Sequence, residues 1–344
     1  MTNEPKIDTF IVTDRAQWLK WRKSDVTASV AAALFGDSAD IHPYMTPYEL
    51  FCLKAGLIEE DVEDTPTFRR GRLLEPVAIE LLKEDRPTWK IAPCGYYFRD
   101  VDHHIGATPD AFAIRPDIEG RGVIQIKSVG KFAFEKGWLD HNKQVDLPLW
   151  IAVQASVEAA LTNSTWAAVG AMALGDGGLD MHVIDIPIKP KLMIEIRKLA
   201  LDFWRRVKDN DPYPPEYGRD AAVIAARYRP DEGNVVDLSD NPRMVEWLTE
   251  REGLKAREAD GTAANKDRKK LEAELMHLLG NASAAIVGGK IVEVKTVKRG
   301  AYSVAPSQYS QVGVKDVGGS ASKFKRGPRQ LSMDSGEDNH GGPF

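Results

Sequence analysis

Thr108-Pro109-Asp110 is followed by the strand-like segment Val123-Ile124-Gln125-Ile126-Lys127-Ser128, and these two stretches decide the fold. Side chains alternate faces along a strand, so the amide of Gln125 and the amine of Lys127 share one face, opposite the two isoleucines. Burying an amide and a lysine on one face of an apolar strand costs several kcal/mol unless something compensates them. A divalent cation next to Asp110, with a phosphate as substrate, would compensate them. The pattern therefore predicts a nuclease site.

Length and composition are those of an ordinary globular protein. The chain has 344 residues, of which 43% are hydrophobic and 28% charged, enough for one large core with an extension or for two domains. Its net charge of −5 excludes a uniformly basic coat for nucleic acid, but a local basic groove would still engage phosphates. Cys52 and Cys94 are too few for a disulfide framework, a four-thiolate zinc site or an iron–sulfur cluster.

Neither an export signal nor a membrane span is expected from the sequence. Residues 1–10 are polar and lack the apolar core of a signal peptide. The most apolar stretch, 151–174, is interrupted by polar residues such as Gln154 and Glu158, so it lacks the roughly 20 apolar residues that a membrane helix needs. With so few cysteines, a reducing cytoplasm is the expected compartment.

Periodicity and turn residues predict an alternation of helices and strands. Thr46-Pro47-Tyr48-Glu49 has capping-box spacing with proline at the first helical position, and Gly36 closes an earlier helix. Gly175-Asp176-Gly177-Gly178 predicts a turn between two strands. Helices are predicted over residues 27–35, 46–56, 68–84, 149–161 and 191–207, and strands over 91–98, 111–114, 123–127, 166–174 and 181–186. This order predicts an α/β fold with a mixed sheet.

Three regions are expected along the chain. Residues 1–220 form the catalytic core, which the turn-rich run Asp211-Pro212-Tyr213-Pro214-Pro215 ends. Residues 237–304 are predicted to form a charged helical extension followed by a small β-hairpin with a two-glycine turn at Gly288-Gly289. Residues 315–344 are rich in glycine and polar side chains, and we expect disorder there.

Four side chains offer the chemistry that the predicted site needs. Asp110 is a hard oxygen ligand of the kind that Mg²⁺ prefers. Lys127 could hold or polarise an attacking water and offset charge on the scissile phosphate. Glu75 and Gln154, each on a predicted helix, could order the water around the metal. Taken singly, each residue has an ordinary structural explanation, so it is their order along the chain that carries the prediction.

The motifs and their order resemble the YqaJ/lambda-exonuclease branch of the PD-(D/E)XK nucleases. Arg22-Lys23-Ser24-Asp25-Val26-Thr27-Ala28-Ser29 is similar to the N-terminal element of that family, and Gly71-Arg72-Leu73-Leu74-Glu75-Pro76 is similar to its glutamate-bearing helix. Thr108-Pro109-Asp110 with Gln125-Ile126-Lys127 occupies the catalytic motif, and Gln154 fits the helix glutamine that follows it.

The resemblance covers roughly residues 21–215 and implies a restriction-endonuclease-like α/β/α core with a mixed central sheet, followed by the helical extension and hairpin. It implies Mg²⁺-dependent degradation of linear double-stranded DNA from the 5′ end, with Mn²⁺ able to replace Mg²⁺. The product would carry 3′ single-stranded overhangs for phage-type recombination. Asp110, Gln125 and the main-chain oxygen of Ile126 would hold the metal.

The resemblance also assigns roles to the remaining site residues. Lys127 would activate water, while Glu75 and Gln154 would order the surrounding network. Arg22 and Ser29 would hold the 5′-phosphate of the DNA. These residue types suit that role, because a guanidinium grips phosphate through paired donors and a helix N-terminus favours anions.

Partners and a cellular setting follow from the same resemblance. Members of the family often form homo-oligomeric rings of three subunits around DNA and work with a single-strand annealing protein. A phage-encoded member would act in the cytoplasm of its bacterial host. The acidic tip that ends Gly341-Gly342-Pro343-Phe344 is similar to the partner-docking tips of bacterial single-strand-binding proteins, and an inert solvating tail is the alternative.

Two residues depart from the family pattern. Ser24 replaces the usual glycine of the N-terminal element. Gln125 stands where the family usually has a metal-binding carboxylate, and an amide oxygen can coordinate Mg²⁺ but brings no charge. Glu75 or a loop carboxylate such as Glu119 could compensate. Glutamine also stands at this position in some branches of the nuclease superfamily, which is compatible with activity; the alternative is a DNA-end-binding protein that kept the fold and lost hydrolysis. A CRISPR-adaptation-type nuclease is disfavoured because the cysteines for an iron–sulfur cluster are missing.

Overall fold

A computed structural model describes residues 5–36, 38–59, 65–175 and 177–228, with short further stretches at 234–235, 253–254, 256–257, 259–263, 284–287, 290–293 and 325–326. The chain divides into two units, Met1–Arg229 and Pro230–Phe344. In the first unit the elements are, in chain order, β1 (Ile7–Ile11), α1 (Arg15–Lys23), β2 (Val26–Thr27), a 3₁₀ helix (Ala28–Phe35), α2 (Pro47–Lys54), α3 (Pro66–Asp85), β3 (Lys90–Pro93), β4 (Tyr96–Asp100), β5 (Ile105–Ala107), β6 (Ala111–Arg115), β7 (Ile118–Gly130), α4 (Lys131–Gly137), α5 (Leu149–Leu161), β8 (Trp166–Gly175), β9 (Gly178–Ile186), α6 (Pro190–Asp209) and α7 (Tyr217–Arg227).

Strand β7 runs through the middle of the larger of the two sheets in this unit. The sheet has five strands in the order β3-β6-β7-β8-β9, and β7 pairs antiparallel with β6 and parallel with β8. Residues 122–126 of β7 are all buried, on both faces of the strand. A strand with two buried faces is normally apolar on both, which is why Gln125 stands out.

Helices cover both faces of this sheet. On one face α3 packs Ile79 and Leu82 against Ile124 and Ile126 of β7. On the other face α5 packs against the side that carries Val123. Consecutive residues of β7 therefore contact different helices, as the strand alternation predicts. The predicted α/β/α core with a mixed central sheet is confirmed.

A second sheet lies against the opposite side of α5. Its four strands have the order β1-β4-β5-β2, with β2 and β5 parallel and the other pairs antiparallel. From α5, Val153, Val157 and Leu161 enter a core that includes Phe98 and Ile105 of this sheet. The helix is therefore buried nearly all round, which explains why its sequence is apolar instead of amphipathic.

The structure corrects three expectations about the elements. The strand predicted over 91–98 is two strands, β3 and β4, which belong to different sheets because the chain turns at Cys94-Gly95. The helix predicted over 27–35 is 3₁₀ in its hydrogen bonding. The N-terminal stretch, which looked merely polar, forms β1 at the edge of the second sheet. Which segments become strands, and which sheet each strand joins, depends on pairing partners that are distant in the sequence, so the local sequence does not reveal it.

The first unit extends past the boundary expected at residue 220. That position lies inside α7, and Asp220 is fully buried. Its carboxylate accepts hydrogen bonds from Thr46 Oγ1 at 2.5 Å and from the main-chain nitrogen of Glu216 at 2.8 Å. Because α7 packs on α2, it belongs to the core and not to a linker.

The second unit is described only in short pieces. Its strands are β10 (Asn234–Val235), β11 (Ala284–Val287), β12 (Lys290–Glu293) and β13 (Lys325–Arg326). Strands β11 and β12 pair antiparallel, as the predicted hairpin requires, and β13 forms a short parallel pair with β10 inside the stretch expected to be disordered. Most of the expected 237–304 extension and the Pro343-Phe344 tip lie outside the described residues and stay predictions. Within the residues described, no helix has the length and apolar content to cross a membrane.

Gly122 gives room to a tryptophan ring on the neighbouring strand. It is the register partner of Trp166 in β8, and a Cβ atom on Gly122 would lie 2.1 Å from that ring. Gly122→Ala must displace the buried ring, so we expect the free energy of unfolding to fall by about 1–3 kcal/mol in chemical denaturation. Gly71→Ala in α3 is the matched control, because no atom lies within 4 Å of its added Cβ and helix propensity should add up to about 1 kcal/mol. Equal changes in the two variants would contradict the packing argument.

Candidate active site

Asp110 lies in the turn between β5 and β6. Its Oδ2 accepts a 2.6 Å hydrogen bond from the main-chain nitrogen of Ile126 and another from the amide nitrogen of Gln125. Burial raises the pKa of Asp110 to about 7, with a further contribution from Glu75, while Lys127 and the two hydrogen bonds oppose the rise. The structure therefore brings Asp110 and the strand motif together, as the sequence predicts.

Gln125 is buried, and only one end of its amide is satisfied. Its Nε2 lies between Asp110 Oδ2 and the main-chain oxygen of Ile126, the latter at 3.3 Å. Its Oε1 is buried and has no hydrogen-bond partner among the described residues. Turning the amide over would put Oε1 in the place of Nε2, so the amide oxygen, Asp110 Oδ2 and the main-chain oxygen of Ile126 would lie side by side. Mg²⁺ prefers oxygen ligands, and these residues fit it.

The three oxygens carry little charge for a metal site. Over the residues that the structure describes, no three His, Cys, Asp or Glu side chains converge as a metal cluster would require. Asp110 supplies a carboxylate, whereas the oxygens of Gln125 and Ile126 are neutral. Glu75 adds a carboxyl nearby, because α3 packs on β7, and burial raises the pKa of Glu75 while Lys127 opposes the rise.

Lys127 extends from the same face of β7 as Gln125. Its Nζ donates a 2.9 Å hydrogen bond to Gln154 Oε1 and lies 5.2 Å from the centre of the Trp150 ring. Burial lowers the pKa of Lys127, and three nearby carboxyl groups, first that of Asp110, oppose the shift. An amine held over an aromatic face and beside carboxylates can orient a water and offset the charge of a phosphate.

Glu158 is a site residue whose role the sequence analysis missed. It follows Gln154 by one turn of α5, is 1% exposed, and its Oε1 accepts a 2.9 Å hydrogen bond from Gln154 Nε2. Burial raises the pKa of Glu158 well above its usual value, and Asp110 adds to the rise. Its Oε2 is buried with no hydrogen-bond partner in the described structure. A glutamate four residues after a glutamine in an apolar helix was the available signal.

Glu119 does not compensate for the missing charge at Gln125. It is exposed near the start of β7, and the six residues of strand that separate the two positions span roughly 20 Å. Of the two carboxylates considered from the sequence, Glu75 is the one that lies near Asp110.

The pair expected to bind phosphate lies beside the loop that carries Asp110. Arg22 Nη2 is 3.5 Å from Ser29 Oγ, and the Arg22 guanidinium stacks over the Trp18 ring at 4.5 Å. Trp18 Nε1 donates a 3.0 Å hydrogen bond to Thr108 Oγ1, two residues before Asp110. Trp18 thus connects this pair to the loop that carries Asp110.

An aromatic cluster connects Ser29 with Lys127 on another side. His42 Nε2 is 3.0 Å from the main-chain oxygen of Ser29, and the His42 ring lies 5.7 Å from the Trp150 ring, which also faces Lys127. Tyr44 packs edge-on against Trp150 at 5.8 Å and remains exposed. No sequence motif pointed to this cluster, because its members come from separate segments.

The residues of this site lie within one recognisable domain. Residues 17–165 match the family model described as the YqaJ-like viral recombinase domain. Over these residues the chain is similar to the YqaJ-like viral recombinase family. The resemblance predicted from the motifs is therefore confirmed. The matched segment contains all the residues predicted for the site, namely Arg22, Ser29, Glu75, Asp110, Gln125, Ile126, Lys127 and Gln154.

Solved structures similar to this chain include an alkaline exonuclease, LHK-Exo, from Laribacter hongkongensis. It has 21% identity to this chain, the match covers 61% of this chain and 100% of that one, and the TM-score is 0.43. A second structure, LHK-Exo in complex with dAMP, has 22% identity over the same shares of the two chains, with a TM-score of 0.42. No curated protein matches this chain.

Asp110 should make the metal-free protein less stable above neutral pH. A carboxyl whose pKa rises from 3.8 to about 7 on folding contributes stability that is complete below the unfolded pKa and is lost as pH rises through the folded pKa. Between about pH 5 and about pH 8.5, the native chain should lose roughly 2–3 kcal/mol more than Asp110→Asn.

Denaturant unfolding in the presence of a chelator measures this difference. Asp110→Asn is the appropriate reference, because Glu75, Lys127 and Glu158 are present in both proteins and the difference reports Asp110 together with its interactions with them. The same pH dependence in both proteins would contradict the raised pKa of Asp110.

Proposed function

We propose that this chain is a Mg²⁺-dependent exodeoxyribonuclease that degrades linear double-stranded DNA from the 5′ end and leaves 3′ single-stranded overhangs. The observation that carries the proposal is the oxygen set of Asp110, Gln125 and the main chain of Ile126, beside the amine of Lys127. The YqaJ-like viral recombinase domain supports a role in DNA recombination of the phage type.

The side chains of the site divide the work of hydrolysis. Mg²⁺ held by the oxygen set would polarise the scissile phosphate, and Mn²⁺, which accepts the same ligands, should replace it. Lys127 donates one hydrogen bond to Gln154 and has two further hydrogens for a water or a phosphate oxygen. Burial lowers its pKa, which makes loss of one proton from the ammonium easier, and the amine so formed can take a proton from the attacking water. Glu75 would order the water on the α3 side.

Arg22 and Ser29 would set the direction of digestion. A guanidinium and a hydroxyl together can donate several hydrogen bonds to a terminal 5′-phosphate. Their connection to Thr108 through Trp18 would fix the distance from that phosphate to the site of hydrolysis beside Asp110. A fixed distance from a held terminus favours release of nucleotides from that end.

The proposed substrate is linear duplex DNA, and the other partners follow from the family resemblance. A homo-oligomer, by resemblance a ring of three subunits, would enclose the duplex. A single-strand annealing protein would receive the 3′ overhang in the bacterial cytoplasm. The Pro343-Phe344 tip would give access to the single-strand-binding protein pathway.

A DNA-end-binding protein with weak or no hydrolysis is the second candidate. Gln125 brings no charge to the oxygen set, and in the structure its amide nitrogen, not its oxygen, faces Asp110. Both features lower the affinity expected for Mg²⁺. Such a protein would keep the Arg22–Ser29 pair and would hold DNA ends without shortening them.

Lys127→Ala tests the site directly. With 5′-phosphorylated linear duplex and Mg²⁺, the native chain should release acid-soluble nucleotides, and the variant should be slower by at least about 100-fold because water activation is lost. Lys131→Ala is the matched control, because Lys131 is an exposed lysine that pairs with Asp180 at 3.2 Å and should not alter the rate. Circular duplex should resist all three proteins. Undiminished release by Lys127→Ala would rule out this site.

Gln125→Glu separates the two candidate functions. An added carboxylate should raise Mg²⁺ affinity, so the Mg²⁺ concentration for half-maximal cleavage should fall by roughly tenfold. Calorimetric titration of Mg²⁺ into the protein gives the same affinity without a cleavage assay. If the native chain binds DNA ends but is inert and Gln125→Glu cleaves, the end-binding candidate is correct.

A further inference from the structure

Lys127, Gln154 and Glu158 form a chain of hydrogen bonds behind the candidate active site. Lys127 Nζ donates to Gln154 Oε1 at 2.9 Å, and Gln154 Nε2 donates to Glu158 Oε1 at 2.9 Å. Gln154 is 6% exposed and Glu158 is 1% exposed. Water therefore competes little for these groups, and each depends on its protein partner.

The partners of Gln154 decide which way its amide points. A lysine amine held by hydrogen bonding needs an oxygen to accept from it, whereas a carboxyl oxygen needs an N–H to donate to it. Glu158 satisfies the nitrogen end of Gln154 and so leaves the oxygen end for Lys127. Without an acceptor at position 158, the buried amide nitrogen would be unsatisfied, so the amide would move to reach another acceptor and its oxygen would no longer hold Lys127.

Stability alone does not account for a carboxyl group at this position. Glu158 lies on a helix whose neighbouring residues Ala155, Ala159 and Leu161 are buried in the core. Burying a carboxyl there is costly, and one of its oxygens has no hydrogen-bond partner within the described residues. A leucine would fill the same space without that cost, which points to a role in the site.

We propose that Glu158 is a positioning residue for the reaction: it fixes the orientation of the Gln154 amide, and the amide oxygen in turn holds the Lys127 amine in place. Glu158 acts through Gln154 and does not touch the substrate. The catalytic consequence rests on the proposed nuclease function, whereas the effect on Lys127 can be measured without it.

Two substitutions separate positioning from simple packing. Glu158→Gln keeps an oxygen that can accept from Gln154 Nε2, and Glu158→Leu removes the acceptor while filling the space. With linear duplex DNA and Mg²⁺, Glu158→Leu should lower kcat by about tenfold or more with KM for DNA unchanged, since the DNA contacts are untouched. Glu158→Gln should stay within about threefold of the native kcat. Equal kcat per folded molecule in Glu158→Leu and the native chain would overturn the proposal.

Asp100→Asn is the matched control for loss of a buried carboxylate. Asp100 is fully buried and accepts hydrogen bonds from His103 and Arg197, but it lies on β4, outside the hydrogen-bond chain. This variant should lose thermal stability and keep the native kcat per folded molecule. A fall in kcat equal to that of Glu158→Leu would mean that any buried carboxylate has this effect, and the specific role of Glu158 would be rejected.

A second readout does not depend on nuclease activity. Acylation of Lys127 by a limiting amine-reactive reagent, followed by peptide mass spectrometry, reports how firmly its amine is held. Glu158→Leu should label Lys127 severalfold faster than the native chain, and Glu158→Gln should label it at close to the native rate. If the native chain is inert on DNA, the proposed function fails and this measurement still decides the positioning role. Unchanged labelling of Lys127 in Glu158→Leu would reject it.

Discussion

The hydrogen bond from the main-chain nitrogen of Ile126 to Asp110 Oδ2 is the interaction on which the site depends. Pairing of β6 with β7 begins at Ala111 and Ile124, so the next donor along β7 has no strand partner on that side. The Asp110 carboxylate takes that place in the ladder. Since β7 is also paired with β8 throughout this stretch, the donor cannot move without disturbing the sheet, and the carboxylate is held by backbone.

The chemistry of this rigid arrangement depends on the balance of charge between three carboxyl groups and one amine. The carboxyl groups of Glu75, Asp110 and Glu158 all interact with the one amine of Lys127 in a partly buried site. Burial favours the neutral form of every one of these groups, so it raises the carboxyl pKa values and lowers that of the lysine. Because position 125 carries an amide, no additional carboxylate repels the three carboxyl groups already present. The same amide attracts a cation less strongly than a carboxylate would.

Sequence patterns within one strand or one helix were enough to predict the parts of the site that lie on a single element. Strand alternation placed Gln125 and Lys127 on one face, and the apolar run with its flanking proline predicted helix α5 over the residues that it occupies. The separation of β3 from β4 could not be predicted, because only their distant partners assign them to different sheets. Glu158 was missed for a related reason: a lone glutamate in an apolar helix has meaning only once its neighbours in space are known.

Helix α5 is the crossover between the parallel strands β7 and β8, and this connectivity divides the site into a local and a distant half. Lys127 and Gln154 are 27 positions apart, and Asp110 and Ile126 only 16, so the residues assigned to chemistry other than Glu75 come from one short stretch of polypeptide. The Arg22–Ser29 pair comes from the N-terminal part of the chain. The hydrogen bond that connects it to this site joins Trp18 and Thr108, which are 90 positions apart. Closing the longer loop costs about 1 kcal/mol more chain entropy, so the connection to the end-binding pair carries the larger ordering cost.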